Sequence, residues 1–385
     1  MDTKMSRKVN PRSMRRENRR IVLRHLIESG PKTRLSISRY TGLAHSVIWR
    51  IVNELQDEGY IEEKGTVRRG KRRATLYGPS SNYVSSLIFN VEVKKTVFAI
   101  GKIDGSWDVI DTFETEKSFE KFVYEVKNRL RNVNKKYKTG SFSTKLVFSI
   151  PGIVKKSESI VVKAPNIGWK NVDFGTAFEG LGMDVIVGND ADFSLLSEAF
   201  FSKDIRKKEN VFFLYFGQGV GGGILRKGEI VWGEAFSAGE VGHVRLGIDD
   251  GKEVEDYLSI IKLIDSIESV HKLPGETPLE KFKAIKEIWK NNDPMLKPLL
   301  SEFAENIALL LRNVIYTLNP GAIVLGGIVT GIWETFGEFI ENMLKRDVDE
   351  FLLDSTIIRD STFRDVPSSL PGCNVVAIQR ILKEI

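Results

Sequence analysis

The stretch Tyr215–His243, YFGQGVGGGILRKGEIVWGEAFSAGEVGH, decides how this chain is read. It opens on the apolar run Val211–Phe216, short enough for a buried strand. Five glycines then fall within seven residues: Gly217, Gly219, Gly221, Gly222 and Gly223. Such density lets backbone N–H groups turn outward and approach an anion or a polyol. Gly228 marks a hairpin turn. The end, Ser237-Ala-Gly-Glu-Val-Gly-His243, sets an acid and an imidazole among small residues, where both can reach one ligand. A glycine-rich hairpin with a solvated Glu and His fits the same letters, because glycine-rich motifs are weak signals alone.

Composition narrows the field. The length, 385 residues, suggests two or three domains, and 42% hydrophobic residues suffice for sizeable cores. No apolar run is long enough to span a bilayer. The N-terminus is basic without the apolar stretch of a signal peptide. Cys373 is the only cysteine, which excludes an internal disulfide framework and a multi-cysteine metal site. The expectation is a cytoplasmic protein without membrane contact. Charge is unevenly spread: residues 1–80 carry 19 Lys and Arg against 8 Asp and Glu, a net of +11. The remainder carries 38 against 43, which brings the whole chain to +6. A cationic head on a mildly acidic body predicts a polyanion-binding module joined to something with another task.

Residues 10–28 have helical periodicity. Ile21, Val22, Leu23, Leu26 and Ile27 form the apolar stripe, with Arg15, Arg16, Arg19, Arg20 and Arg24 around it. Gly30-Pro31 ends the helix. Thr33 caps a short second helix to about Tyr40, and Gly42 breaks it. A third helix, His45–Glu58, turns Val47, Ile48, Ile51, Val52 and Leu55 inward. That order belongs to helix-turn-helix DNA binders. Two strands, Tyr60–Glu63 and Ala74–Tyr77, bracket the basic tip Arg68-Arg69-Gly70-Lys71-Arg72-Arg73. A winged helix-turn-helix over residues 1–78 follows. His45, Ser46, Trp49 and Arg50 would face base edges, while Arg68, Arg69, Lys71, Arg72 and Arg73 would grip backbone phosphates. His45 and Trp49 equally suit packing roles.

The body reads as α/β. Strands Ser86–Val91, Lys95–Lys102 and Val109–Glu114 are joined by a turn at Asp104-Gly105. A helix to about Tyr137 is capped by Ser118, and the strand Lys145–Ile150 ends at Pro151-Gly152. Asp184–Gly188 delivers Asn189-Asp190 to a helix N-terminus, where a ligand can reach a carboxylate. A long helix, Leu296–Leu318, precedes the strand Ala322–Leu325 and a helix over Trp333–Lys345. The expected fold is a two-lobed, ribonuclease-H-like or actin-like arrangement with a cleft between lobes. The first lobe takes residues 79–188 together with a C-terminal helix, 374–385. The second takes residues 189–373.

Asn189-Asp190-Ala191, Gly219-Val-Gly-Gly-Gly223, Ser237–His243 and Ile323-Val-Leu-Gly-Gly327 resemble, in order and spacing, the ROK family of repressors, open reading frames and kinases. The cationic front end resembles its repressor branch. The resemblance implies that Asn189, Asp190, Glu240, His243 and Glu255 hold sugar hydroxyls, with Asp190 the general base in kinase members. Trp169 either shapes the sugar entrance or packs. His243 and Glu255 have plain alternatives as a structural hydrogen-bonder and a solvated helix-start acid.

Three departures from the family pattern bear on function. Where kinases carry an Asp-x-Gly-Gly-Thr phosphate loop, this chain has Asn90-Val-Glu-Val-Lys-Lys95, without its glycines. In the second phosphate loop, Gly217-Gln218-Gly219-Val-Gly221, Gln218 stands where kinases have Thr; these residues read as a vestigial loop. The cysteines of the family's zinc cluster are absent after His243, so no metal is expected. The expected function is a sugar-responsive transcription factor, a repressor of carbohydrate-utilisation genes. It would bind operator DNA as a homodimer or dimer of dimers and a monosaccharide or derivative in the cleft, with no cofactor. The alternative is an ATP- and magnesium-dependent kinase of a hexose or N-acetylhexosamine.

Overall fold

A computed structural model describes residues 11–69, 72–137, 144–247, 251–364 and 366–385. The head begins with α1 (Pro11–Ser29), followed by β1 (Lys32–Thr33), α2 (Arg34–Thr41), α3 (His45–Asp57), β2 (Ile61–Arg69) and β3 (Arg72–Pro79). Thr33 caps α2 by accepting from Ser36 N–H at 3.2 Å, and Gly42 ends that helix with φ +71°. Val22, Leu23, Leu26, Ile37, Ile48, Ile51, Val52 and Leu55 are fully or almost fully buried. Most of the expected apolar positions thus became the head's core, while Ile21 lies exposed and Ile27 and Val47 are only partly buried. The hairpin is longer than its sequence suggested. Arg68 pairs with Arg73 and Arg69 with Arg72, so the basic residues extend the strands. Gly70 and Lys71 lie outside the described residues.

The first lobe has β4 (Val84–Val91), β5 (Lys95–Lys102), β6 (Trp107–Glu114), α4 (Phe119–Tyr137) and β7 (Lys145–Ile150). A small sheet of β8 (Ile153–Lys155), β9 (Ile160–Ala164) and β10 (Trp169–Asp173) leads through α5 (Phe174–Ala177) to β11 (Asp184–Asn189). Next come α6 (Asp190–Phe201) and α7 (Lys203–Arg206). The second lobe has β12 (Asn210–Phe216), β13 (Val220–Arg226), β14 (Glu229–Ile230), α8 (Val254–Leu258), α9 (Ile260–Glu268), α10 (Pro278–Lys290) and α11 (Lys297–Leu318). It closes with β15 (Ala322–Gly327), α12 (Ile332–Asp347), α13 (Glu350–Ser355) and β16 (Ile357–Asp360); α14 (Ser369–Glu384) ends the chain.

The two main sheets repeat one plan. Their orders are β6-β5-β4-β7-β11 and β14-β13-β12-β15-β16. In each, the first three strands in sequence pair antiparallel and the last two join parallel to the first. No sequence period announces this, because strand order constrains hydrophobic pattern far more than residue identity.

The C-terminal helix begins at Ser369, five positions before the start expected at Asn374, and it is buried along most of its length. The departure has a physical cause. Polar residues in this segment are satisfied inside the protein, so they do not mark a surface. Ser369 Oγ donates to Asn90 Oδ1 at 2.7 Å, and Ser368 Oγ contacts Ser194 Oγ at 2.8 Å. Asn374 accepts from Ser85 and Ser86 at 2.6 and 2.9 Å and donates to the carbonyls of Lys102 and Ser106. Such bonded groups can be buried without a desolvation penalty.

α14 lies against α6 on one side and reaches the head on the other. Ile378, Ile381 and Leu382 of α14 share one apolar cluster with Val22, Leu26, Ile48 and Tyr60 of the head. Arg16 of α1 donates to the Glu384 carbonyl at 2.8 Å, and the Glu384 carboxylate holds buried Lys145 at 2.7 Å. α6 is tied equally to the second lobe. Its fully buried Glu198 accepts from Arg359 at 2.9 Å, from Ser361 at 2.6 Å and from Thr362 N–H at 2.8 Å.

The α6–α14 crossing admits no side chain at Gly372, where a Cβ would collide with the Phe193 carbonyl. Gly372→Ala is expected to lower stability by about 1–3 kcal/mol, the range for forced overpacking. An unchanged thermal midpoint would contradict so tight a crossing.

Candidate functional site

The β11–α6 junction is the centre of the site expected in a cleft between the lobes. Asn189 caps α6: its Oδ1 accepts from Ala191 N–H at 2.8 Å and Asp192 N–H at 3.3 Å, and its Nδ2 donates to the Gly152 carbonyl at 3.0 Å. One amide hydrogen remains for a ligand, so Asn189 is first a cap. Asp190 follows at the first helical position and accepts from Ala191 N–H at 3.0 Å. Its carboxyl is pushed up to about 7, chiefly by burial and then by the nearby Glu240 and Glu92 carboxylates; the Ala191 N–H opposes the rise. Tyr215 from β12 faces Asp190, and burial in company with Asp190 and Glu92 pushes its phenol well above the ordinary value.

The glycine-rich hairpin supplies the opposite wall. Its turn, Gly217–Gly219, closes on itself: Gly217 N–H donates to the Gly219 carbonyl at 2.9 Å. Ser259 Oγ donates to the Gln218 carbonyl at 2.6 Å, and Ile260 N–H to the Gly217 carbonyl at 3.2 Å. Glycines further along serve close packing. A Cβ on Gly222 would press on the Gly239 carbonyl and the Phe212 ring, and Gly239 has φ +93°. That approach sets the 239–243 segment against β13, which carries Glu240 into the cleft.

Glu240, His243 and Glu255 form one electrostatic group. Burial raises the Glu240 carboxyl, His243 opposes that rise, and Glu255 adds to it. His243 Nδ1 donates to Glu253 Oε2 at 2.8 Å. That bond raises its pKa more than burial lowers it, and Glu255, Glu253 and Glu240 add to the rise. Asp190 joins the group through Glu240. Four of the five expected sugar residues therefore act on one region, and Asn189 adjoins them.

His243, Glu253 and Glu255 also bring ligand atoms within 4.8 Å of one another. Among the described residues this is the one such group able to hold a metal, with one nitrogen and two carboxylates. Trp169 is 3% exposed, its Nε1 donates to the Lys117 carbonyl at 3.0 Å, and it packs on Phe119, Phe122 and Phe174. It is a core residue.

The expected first phosphate loop is a tight β4–β5 turn, with Glu92 N–H donating to the Lys95 carbonyl at 2.9 Å. Asn90 is 2% exposed and its Oδ1 is taken by Ser369. Glu92 sits close enough to raise Asp190. In the second loop, a Cβ on Gly219 would stand 2.9 Å from the Glu255 carboxylate. A triphosphate here would meet acids in place of open N–H groups.

Sequence reading missed four members of this region. Asp192, two residues past Asp190, is buried, and its carboxyl is pushed up to about 8 by burial, with Lys156 opposing. Lys156 and Trp232 meet across the cleft, the Lys156 Nζ lying 4.2 Å from the ring centroid. Glu253 orients His243. Only Asp192 had a local signal, its place in the first turn of the Asp190 helix. On the head, His45, Ser46, Trp49 and Arg50 are exposed at the start of α3. Arg50 lies 3.8 Å from Glu54, a weak exposed pair. Arg68 and Arg73 are exposed on the hairpin.

The raised carboxyls carry a pH signature. The folded state holds Asp190 and Asp192 protonated above the ordinary 3.8, up to about 7 and about 8. Their contribution to stability is complete below the ordinary value and lost as pH rises through those folded values. The ligand-free thermal midpoint is expected to fall between about pH 5 and pH 8, by a few degrees for each ~1–2 kcal/mol lost. Asp190→Asn combined with Asp192→Asn flattens that fall. An equally steep profile in the double variant would contradict the assignment.

The chain is 24% identical over 363 residues to a xylose repressor of Caldicellulosiruptor bescii, covering 86% of this chain and 87% of the relative. It is 29% identical over 231 residues to a beta-glucoside kinase of Listeria monocytogenes, covering 58% and 75%. The crystal structure of a ROK family transcriptional regulator, a homolog of the E. coli MLC protein, superposes with a TM-score of 0.76 at 19% identity, over 96% of this chain and 97% of that one. No helix among the described residues is long and apolar enough to cross a membrane. The ROK family profile matches residues 93–372, and the chain belongs to the ROK family.

Proposed function

We propose that this protein is a sugar-responsive transcriptional repressor. The head is a winged helix-turn-helix that binds operator DNA, and the cleft holds a monosaccharide or a derivative of one. The observation that carries this reading is the joint placement of Asp190, Glu240, His243 and Glu255 on one region, beside the helix that packs against α14. Carboxylates and an imidazole at one point suit paired hydroxyls, and a wrong sugar leaves some of them unpaired. The C. bescii xylose repressor, matched over 86% of this chain, supports the same reading.

On the DNA side, α3 offers Trp49 and Arg50 to base edges while Arg68, Arg69, Lys71, Arg72 and Arg73 of the hairpin meet phosphates. Paired half-sites call for at least a homodimer. An effector acts on DNA affinity only through its differential affinity for two arrangements of the molecule. The α6–α14–α1 contacts supply the mechanical route between them. No cofactor or metal enters this scheme. The His243–Glu253 hydrogen bond and the Val254 N–H donating to the Val244 carbonyl at 2.8 Å tie residues 243–244 to residues 253–254.

One observation favours a kinase: Asp190, with its pKa near 7, is poised as a general base. The acids Glu92 and Glu255 at both phosphate-loop positions oppose it.

Three outcomes are expected. A panel of sugars raises the thermal midpoint of the protein and weakens its hold on operator DNA; absence of both effects across the panel ends the sensing reading. Arg72→Ala with Arg73→Ala weakens binding to all DNA sequences and makes the salt slope shallower by about 2, one per lost phosphate contact; an unaltered slope removes the hairpin from the interface. A coupled assay with ATP, magnesium and sugars shows no turnover, and robust turnover lost in Asp190→Asn would establish the kinase instead.

A further inference from the structure

The cleft holds a second group of side chains that the sugar contacts above leave unused. Asp192 is 8% exposed, and among the described residues no donor reaches its carboxylate, although its own N–H is bonded to Asn189. Its oxygens are not sealed inside the protein, unlike the unpartnered polar atoms of Arg19, His25, Arg34 and Ser149. They lie where Asp190 and Glu240 act on them. Lys156 is the cation nearest in effect; it stands on the short turn Lys156–Glu158 of the first lobe and is half-buried. Its Nζ lies 4.2 Å from the centroid of Trp232. Trp232 follows β14 in the second lobe, and its carbonyl accepts from Ala238 N–H at 3.1 Å, at the root of the loop ending in Glu240. Acid, ammonium and indole thus span both lobes beside the first cluster.

We propose that Asp192, Lys156 and Trp232 form a second carbohydrate subsite, and that the effector is a glycoside of two linked rings. This rests on the sugar-sensing reading above and names its ligand class. A sugar ring has an apolar C–H face and a rim of hydroxyls. The indole takes the face, the Asp192 carboxyl exchanges a hydrogen bond with a hydroxyl, and the ammonium donates to one. In the ligand-free protein the ammonium covers the indole as a cation–π contact. An arriving ring replaces it there, while the Lys156 charge continues to act on Asp192. A single ring held by Asp190, Glu240, His243 and Glu255 leaves the Asp192 carboxyl without a partner in the protein or the ligand; the second ring supplies one. Because Lys156 and Trp232 belong to different lobes, the same ring joins them.

Calorimetric titration of the full chain with xylose, glucose, xylobiose and cellobiose tests the subsite. Each disaccharide is expected to bind about tenfold tighter than its own monosaccharide, a difference of ~1.4 kcal/mol. Trp232→Ala and, separately, Lys156→Ala bring the disaccharides down to monosaccharide affinity. Monosaccharide binding persists in both variants, which reports that they fold. Equal affinity for one ring and two, or an advantage that survives both substitutions, overturns the subsite and leaves sugar sensing standing. Binding of no mono- or disaccharide in a wider panel overturns both.

Discussion

Everything in this molecule leans on the crossing of α6 and α14. The backbone of Gly372 rests on the carbonyl of Phe193 with no room for a methyl group between them. α6 begins at the cleft with Asp190, and its buried Glu198 is held by Arg359 of the second lobe. α14 shares a core with the head through Ile378, Ile381 and Leu382. Two rigid rods in van der Waals contact thus connect the Asp190 end of one helix to the module at the front of the chain. Packed interiors transmit displacement because they have few voids to absorb it.

The cleft is organised by an excess of acid. Glu92, Asp190, Asp192 and Glu240 are all raised first by burial, and several raise one another. His243 and Lys156 offset this in part. A phosphate-binding site needs the reverse balance, with open N–H groups and cations. Here the two loops that would provide it are a closed hairpin turn and a glycine turn pinned by Ser259. Neutral polyols tolerate such a field, since a hydroxyl can donate to an acid without bringing charge of its own.

Much of the site was legible because its motifs are local. Asn189-Asp190 sits at a strand–helix junction, and Ser237–His243 follows a glycine hairpin; both signals lie within a few residues. The structure adds roles where a side chain has a structural partner elsewhere. Asn189, expected as a sugar ligand, also caps α6 and makes a long-range bond to Gly152, with one amide hydrogen left over. Trp169 was open between an entrance and a packing role, and the aromatic cluster of Phe119, Phe122 and Phe174 around it decides for packing. Lys156 and Trp232 gave no warning, because their meeting depends on how the two lobes face each other.

By itself, the sequence determined the separation of a cationic head from an acidic body, the head's three helices, the longest strands and helices of the body, and the candidate ligands at strand ends; the small sheet β8–β10 and the helices α8, α9 and α10 gave no such signal. Charge composition, apolar periodicity and turn residues act over a few positions, and none needs the rest of the chain. Only the tertiary structure decided the repeat of one sheet plan in both lobes, the early start of α14 and the contacts of Asp192, Lys156 and Trp232. Those depend on burial and on residues far apart in sequence. A serine or asparagine reads as surface until a partner such as Asn90 or Ser85 satisfies it inside, and that partner is visible only once the chain has folded.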